Sequence, residues 1–288
     1  MRKIILGFVA ATFMLGCATP STPQKAQENQ TVKSGYAPIN GIKMYYEIHG
    51  SGGDTPLILL NGGGSTIEVT YSKVLPIFAR NRAVIALEEQ GHGRTTDRSQ
   101  PFRAETSAED VVTLLDYLHV RQADVMGFSN GAGVAMQVAI RHPERIHKLV
   151  FVSYMSKRTG AYPWLWESMK KASFSNMPQP LKEAFLKVNP DPQNLRTMCE
   201  KDIERIQNFK DVPDKDVRSI RAPTLVMIGD KDVTKPEHAV ELSHLIPNAQ
   251  LMILPGAHGE FLGELLSGKP TSRAPEFTTG FIEEFLNH

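Results

Sequence analysis

Ala123-Asp124-Val125-Met126-Gly127-Phe128-Ser129-Asn130-Gly131-Ala132-Gly133-Val134-Ala135-Met136 reads as a short apolar strand, a sharp turn and a helix of small residues. At its centre stands Gly127-x-Ser129-x-Gly131. A serine on such a turn is pushed out of the sheet, and the two glycines are required because a Cβ there would collide with the adjoining strand and helix. The bare pattern is weak, since 22 glycines in 288 residues scatter matches by chance. The strand before it and the helix after it identify a nucleophile elbow rather than a glycine-rich surface turn.

Outward from this turn the chain alternates. Residues 35–48 give two short strands around Asn40-Gly41, a dipeptide suited to the positive φ values of a two-residue hairpin. The runs 57–60, 83–87, 123–126, 148–153, 224–228 and 250–254 are short and nearly continuously apolar, as strands covered on both faces are. Helical patterns separate them. Thr106-Ser107-Ala108-Glu109 has the form of a capping box before Val111, Leu114, Leu115 and Leu118, and Pro236 opens a helix through Leu242 and Leu245. The alternation predicts an α/β fold: a mostly parallel central sheet, helices on both faces, and a ligand site at the carboxyl ends of the strands.

One stretch breaks the rhythm. Residues 155–219 are far longer than an ordinary connection, and they hold Tyr162, Trp164, Trp166, Phe174 and Phe185, with Leu181-Lys182-Glu183-Ala184-Phe185-Leu186 in helical form. A helical lid over the sheet's carboxyl edge is expected, dividing the core into 35–154 and 220–288. The lid aromatics suit either its own core or substrate contact, and Trp164 and Trp166 are the candidates for contact.

The N-terminus is of another kind. Met1-Arg2-Lys3 is basic, the apolar run that follows is too short to span a bilayer, and Gly16-Cys17 ends it, so 1–16 reads as a signal peptide. Met14-Leu15-Gly16-Cys17 resembles a bacterial lipobox, with Met14 where leucine is usual. That resemblance makes Cys17 the lipidated first residue and the membrane contact one of lipid alone. Ala18 after the cysteine points to the outer membrane of a Gram-negative envelope; a simple secretory signal, giving a secreted or periplasmic protein, is the alternative. Residues 17–34 hold almost nothing apolar and form a flexible tether.

Composition is ordinary, at 41% hydrophobic and 22% charged. Loss of residues 1–16 removes Arg2 and Lys3 from 32 basic side chains, leaving 30 against 31 acidic ones, a formal charge of −1. No nucleic-acid partner is implied. With Cys17 acylated, Cys199 is left without a disulfide partner and reads as a semi-buried structural thiol.

A serine hydroxyl needs a base within hydrogen-bond reach and an acid that orients the base. In this architecture they follow in the order serine, acid, histidine. Gly229-Asp230-Lys231-Asp232 stands at the end of the strand near 224–228, and Pro255-Gly256-Ala257-His258-Gly259 follows the next strand. His258 is therefore the base. His92, His119, His142, His147, His238 and His244 lie in loops or helices at the wrong place in the order, and read as structural or surface residues.

These motifs together resemble the serine α/β-hydrolase superfamily, from about Gly35 to the end. Leu57-Ile58-Leu59-Leu60-Asn61-Gly62-Gly63-Gly64 is similar to its oxyanion strand and loop, and Gln90-Gly91-His92-Gly93-Arg94-Thr95 to its second glycine loop. Within it, 88–95 and 181–192 resemble a group of bacterial hydrolases. The resemblance implies Asp232 as triad acid, with Asp230 a turn-capping carboxylate, and an oxyanion hole of the Gly63 and Asn130 backbone N–H groups. Two departures stand out: Asn61 replaces the usual histidine, and Glu88 replaces a common aspartate. Glu88 is expected to touch substrate or to tie down the loop at 91–94.

The expected chemistry is hydrolysis of an ester or related acyl bond of a small molecule through an acyl-enzyme, with neither metal nor cofactor. Serine at 129 excludes the aspartate nucleophile of epoxide and haloalkane hydrolysis, and Asn61-Gly62-Gly63-Gly64-Ser65 lacks the Gly-Gly-Pro-Gly turn of proline aminopeptidase-like relatives. Cofactor-free C–C bond hydrolysis, peroxidase or lyase chemistry uses the same triad. A non-catalytic envelope lipoprotein that binds a ligand is the other class.

Overall fold

The computed structural model describes residues 32–288. The expected signal peptide, Cys17 and most of the expected tether lie outside the described residues. Eight strands form one sheet in the order β1-β2-β4-β3-β5-β6-β7-β8. They are β1 (Lys33–Ile39), β2 (Ile42–His49), β3 (Leu57–Leu60), β4 (Val84–Leu87), β5 (Ala123–Phe128), β6 (Ile146–Val152), β7 (Thr224–Gly229) and β8 (Ala249–Leu254). β1 and β2 are a hairpin turned by Asn40 and Gly41, at φ 43° and 86°. β2 also runs antiparallel to β4, and all later pairings are parallel.

β3 illustrates why these runs become strands. Its four side chains are fully buried and alternate between two cores, Ile58 and Leu60 on one face and Leu57 and Leu59 on the other. Burial of each contributes about 1.5–3 kcal/mol. The helices that cover the sheet are α1 (Ile67–Tyr71), α2 (Leu75–Phe78), α3 (Ala104–Tyr117), α4 (Asn130–Arg141), and, beyond the insertion, α9 (Pro236–Leu245) and α10 (Ala274–Asn287). The first core takes side chains from α3, α4 and α9, the second from α1, α2 and α10. The insertion itself carries α5 (Pro163–Lys170), α6 (Gln179–Val188), α7 (Pro192–Gln207) and α8 (Asp214–Val217). Phe185, Leu195 and Met198 of the insertion form a separate small core with Phe102, which precedes α3. Buried Cys199 sits in α7, a free thiol pushed up by its burial.

Three expectations need correction. β8 is an edge strand among the described residues, and its Leu251 and Ile253 are exposed because the face they share is only partly covered at the sheet's margin. β1 starts at Lys33, inside the span read as tether, because β2 extends to His49 and Lys33 pairs with Ile48. The capping box does not form. α3 begins two residues before Thr106, at Ala104, with no side-chain cap; Ser107 donates instead to Glu89 Oε2 at 2.9 Å, and Glu109 binds Arg141 and His142.

The strand order places the site. The chain passes from β3 outward to β4 and crosses back over β3 to β5, so the loops leaving β3 and β5 diverge and open a crevice at their carboxyl ends.

Candidate active site

Ser129 occupies that crevice at φ 52°, ψ −124°, a strained conformation for a non-glycine residue. The strain is enforced by packing. A Cβ on Gly127 would lie 2.3 Å from the Gly131 carbonyl oxygen, and one on Gly131 2.3 Å from that of Leu60. α4 starts immediately after the serine, so its unpaired N-terminal N–H groups point toward the reacting centre.

Three loops from the ends of β5, β7 and β8 bring the predicted triad together. Ser129 Oγ is 3.0 Å from His258 Nε2, and His258 Nδ1 is 2.7 Å from Asp232 Oδ1. A carboxylate only accepts, so Nδ1 carries the proton and Nε2 presents its lone pair to the serine hydroxyl. The imidazole packs on Phe128, centroids 4.7 Å apart. Asp232 is 3% exposed. Burial alone would push its carboxyl up; the His258 ring and hydrogen bonds from His258, Ser153 and the Thr234 N–H outweigh that and hold it below the ordinary carboxylate range. Asp230 is exposed and accepts from Gly256 N–H at 2.7 Å, tying the β7 and β8 loops together.

Gly63 and Asn130 lie side by side: a Cβ on Gly63 would fall 2.2 Å from Asn130 Nδ2. Among the described residues neither backbone N–H has a protein partner, which leaves both free to bind an oxyanion. Among these residues, too, no three of His, Cys, Asp and Glu are grouped so as to hold a metal ion, and no helix is long and apolar enough to cross a membrane.

The remaining candidates lie elsewhere. Glu88 is fully buried and accepts from the Arg94 N–H at 2.6 Å and the Arg94 guanidinium at 2.7 Å, so it fastens the 91–94 loop. Trp166 is buried at the base of the insertion, its Nε1–H on the Arg158 carbonyl at 3.0 Å and its ring against Phe209. Trp164 is 53% exposed and stacks on Tyr162. Among the described residues, neither tryptophan makes a hydrogen bond or ring contact with Ser129, Asp232 or His258.

Sequence reasoning missed two features. Ser153, at φ 56°, donates its hydroxyl to Asp232 Oδ2 at 2.7 Å; an isolated serine at a strand end gives no signal. The second is a buried charged cluster of Glu89, His92, Asp202 and Arg205. Only spatial proximity reveals it.

The family model for the alpha/beta hydrolase fold matches residues 55–178. The human serine hydrolase BPHL is 25% identical over 255 residues, covering 84% of this chain and 86% of that protein. The 2-hydroxymuconate semialdehyde hydrolase of Pseudomonas sp. (strain CF600) is 36% identical over 110 residues, covering 36% of this chain and 38% of that protein. The crystal structure of the enol-lactonase from Burkholderia xenovorans LB400 superposes with a TM-score of 0.68 at 22% identity, over 88% of this chain and 100% of that one.

Proposed function

Because the chain belongs to the α/β-hydrolase superfamily, we propose that it is a serine hydrolase that cleaves an ester or related acyl bond of a small molecule through Ser129, His258 and Asp232. The observation that carries this reading is the unbroken line from Ser129 Oγ to His258 Nε2 at 3.0 Å and from Nδ1 to Asp232 at 2.7 Å. His258 takes the hydroxyl proton as Ser129 attacks the carbonyl carbon. The Gly63 and Asn130 N–H groups receive the developing oxyanion, and His258 returns the proton to the departing alcohol. Water, deprotonated by the same imidazole, then releases the acid and restores the serine. Asp232 fixes the tautomer and stabilises the imidazolium.

The test is release of p-nitrophenol from a short-chain ester, together with labelling of Ser129 by a fluorophosphonate. Turnover and labelling lost in Ser129→Ala support the reading; equal turnover in both proteins removes it. A second reading, C–C bond hydrolysis of a dienolic carbonyl compound, draws support from the 36% identity to 2-hydroxymuconate semialdehyde hydrolase. Faster turnover of such a compound than of any ester would replace the first.

We also propose attachment to the cell envelope through lipid on Cys17. A single acyl chain gives only marginal membrane binding, so more than one is expected. Cys17→Ser should release active protein into the soluble fraction. Wild type recovered there without lipid mass on its N-terminal peptide leaves a secreted or periplasmic protein.

A further inference from the structure

The segments after β3 and β4 meet α7 of the insertion through one buried cluster. Asp202 Oδ2 accepts from the Gly64 N–H at 2.5 Å and lies 2.9 Å from His92 Nε2, while Asp202 Oδ1 accepts from Arg205 at 2.5 Å. The other terminal nitrogen of Arg205 reaches Glu89 Oε2 at 3.2 Å. His92 Nδ1 is 2.9 Å from the Gln90 carbonyl oxygen. Both nitrogens of His92 thus face acceptors, which requires the doubly protonated ring. Two cations and two anions balance inside the protein.

Such a cluster is a poor source of stability, because desolvation consumes most of the Coulombic gain. It is a good source of fixed geometry. Gly64 is at φ 67°, and a Cβ placed on Gly63 would lie 2.2 Å from Asn130 Nδ2 and 3.2 Å from Asp202 Oδ2. Gly63 is therefore wedged between the residue after the nucleophile and a carboxylate of the insertion. Its neighbour's N–H is the one pinned.

We propose that Asp202 is a positioning residue for the oxyanion hole: it holds the Gly63–Gly64 segment so that Gly63 N–H stands beside Asn130 N–H, and the helical insertion thereby completes the hole. This rests on the serine-hydrolase reading. Displacement of α7 moves Gly63 and with it the competence for acyl transfer. Tenths of an ångström at an oxyanion donor are enough to slow the chemical step.

Asp202→Asn tests it, since the amide preserves shape and sets an N–H donor against Arg205 or His92. Three readouts are taken. Hydrogen exchange of the peptide over residues 61–65 is expected to accelerate in the variant. Ester turnover is expected to lose about ten- to hundredfold in kcat with KM nearly unchanged, below the loss for removing a whole donor. Hydrolysis of the matching thionoester, whose sulfur anion uses the hole poorly, should fall by much less. Unchanged exchange at 61–65, or equal losses on ester and thionoester, overturns the proposal. Wild type that turns over neither substrate defeats the serine-hydrolase reading instead, and exchange still decides the positioning of Gly64. If Asp202→Asn is recovered unfolded, His92→Gln, which leaves the Gly64 bond in place and removes one charge, should show the same pattern at smaller amplitude.

Discussion

Among the described residues, two groupings of serine, histidine and carboxylate share a histidine bonded through Nδ1 to an acid and differ in the exposure of the serine and in the use of the Nε2 lone pair. In the first, Ser129 is half-exposed at a strained turn and faces the free lone pair of His258, whose other nitrogen binds buried Asp232. In the second, at the base of the insertion, Ser156 Oγ lies 3.3 Å from His238 Nε2, and His238 Nδ1 lies 2.7 Å from Glu241. There the backbone N–H of Ser156 donates to Nε2 at 3.1 Å, so the lone pair is already engaged. Ser156 is fully buried, and Glu241 is shared with Lys157. The hydroxyl can neither be deprotonated nor reach a substrate. The second grouping is a clamp: the Ser156 carbonyl accepts from Val212 N–H at 2.7 Å, and Gly160 packs against the His238 ring, joining both ends of the insertion to α9.

The comparison breaks most directly at the serines. Ser129→Ala and His258→Ala should each lower kcat on an acetate ester by about 10⁶-fold, and the double variant should lose no more, because the pair acts as a unit. Ser156→Ala should leave kcat within about twofold, since no transition-state contact is removed. Steady-state rates decide it, and comparable losses at Ser129 and Ser156 would erase the distinction. Among the acids, Asp232→Ala should cost about 10⁴-fold, while Asp230→Ala and Glu241→Ala should leave most activity. An inactive Asp230→Ala beside an active Asp232→Ala would reverse the assignment of the acid.

How much of this was legible follows from what each feature depends on. Continuous apolar runs and glycines carry the strands, the turn at Ser129 and the loops of His258 and Asp232, because backbone packing fixes them locally. Ser153 and Asp202 carry no such mark. Each acts through a side chain whose partner is distant in sequence, Asp232 for the one and Gly64 for the other. The capping box at 106–109 failed for the same reason, since Ser107 and Glu109 find tertiary partners instead. In the insertion the helix at 181–186 was readable from periodicity. The separate fates of Trp164 and Trp166 were not.

Those fates supply a smaller test, at the edge of the clamp. Trp166→Ala opens a cavity under the Arg158 carbonyl and should cost about 3–5 kcal/mol of stability. Trp164→Ala, at an exposed site, should change stability by less than about 0.5 kcal/mol. It should act, if at all, on the preference between long and short acyl chains. Thermal unfolding and an ester series separate the two residues. Equal destabilisation would mean that Trp164 packs as Trp166 does.

The smallest effect expected is on pH, and it sets His238 of the clamp against Asp232 of the triad. Burial lowers the pKa of His238 below the ordinary histidine value, and its bond to Glu241 offsets this only in part. A histidine depressed in the folded state binds fewer protons there than in the unfolded chain, so its contribution is present above about pH 6.5 and is lost as pH falls below that value. A proton on Nε2 would also face the Ser156 N–H directly. Glu88, pushed up to about 7 by burial, and His92, held up against its burial by Asp202, act in the opposite sense, so the expected outcome is a difference: the Tm of wild type minus that of His238→Gln, whose amide oxygen can still accept from Ser156, should fall between pH 7 and 5. Asp232 titrates in the opposite sense to burial: held below the ordinary carboxylate range, it contributes stability above about pH 4 that is lost only in stronger acid. A wild-type minus His238→Gln difference that stays constant between pH 7 and 5 would move the acid-sensitive contact away from the clamp.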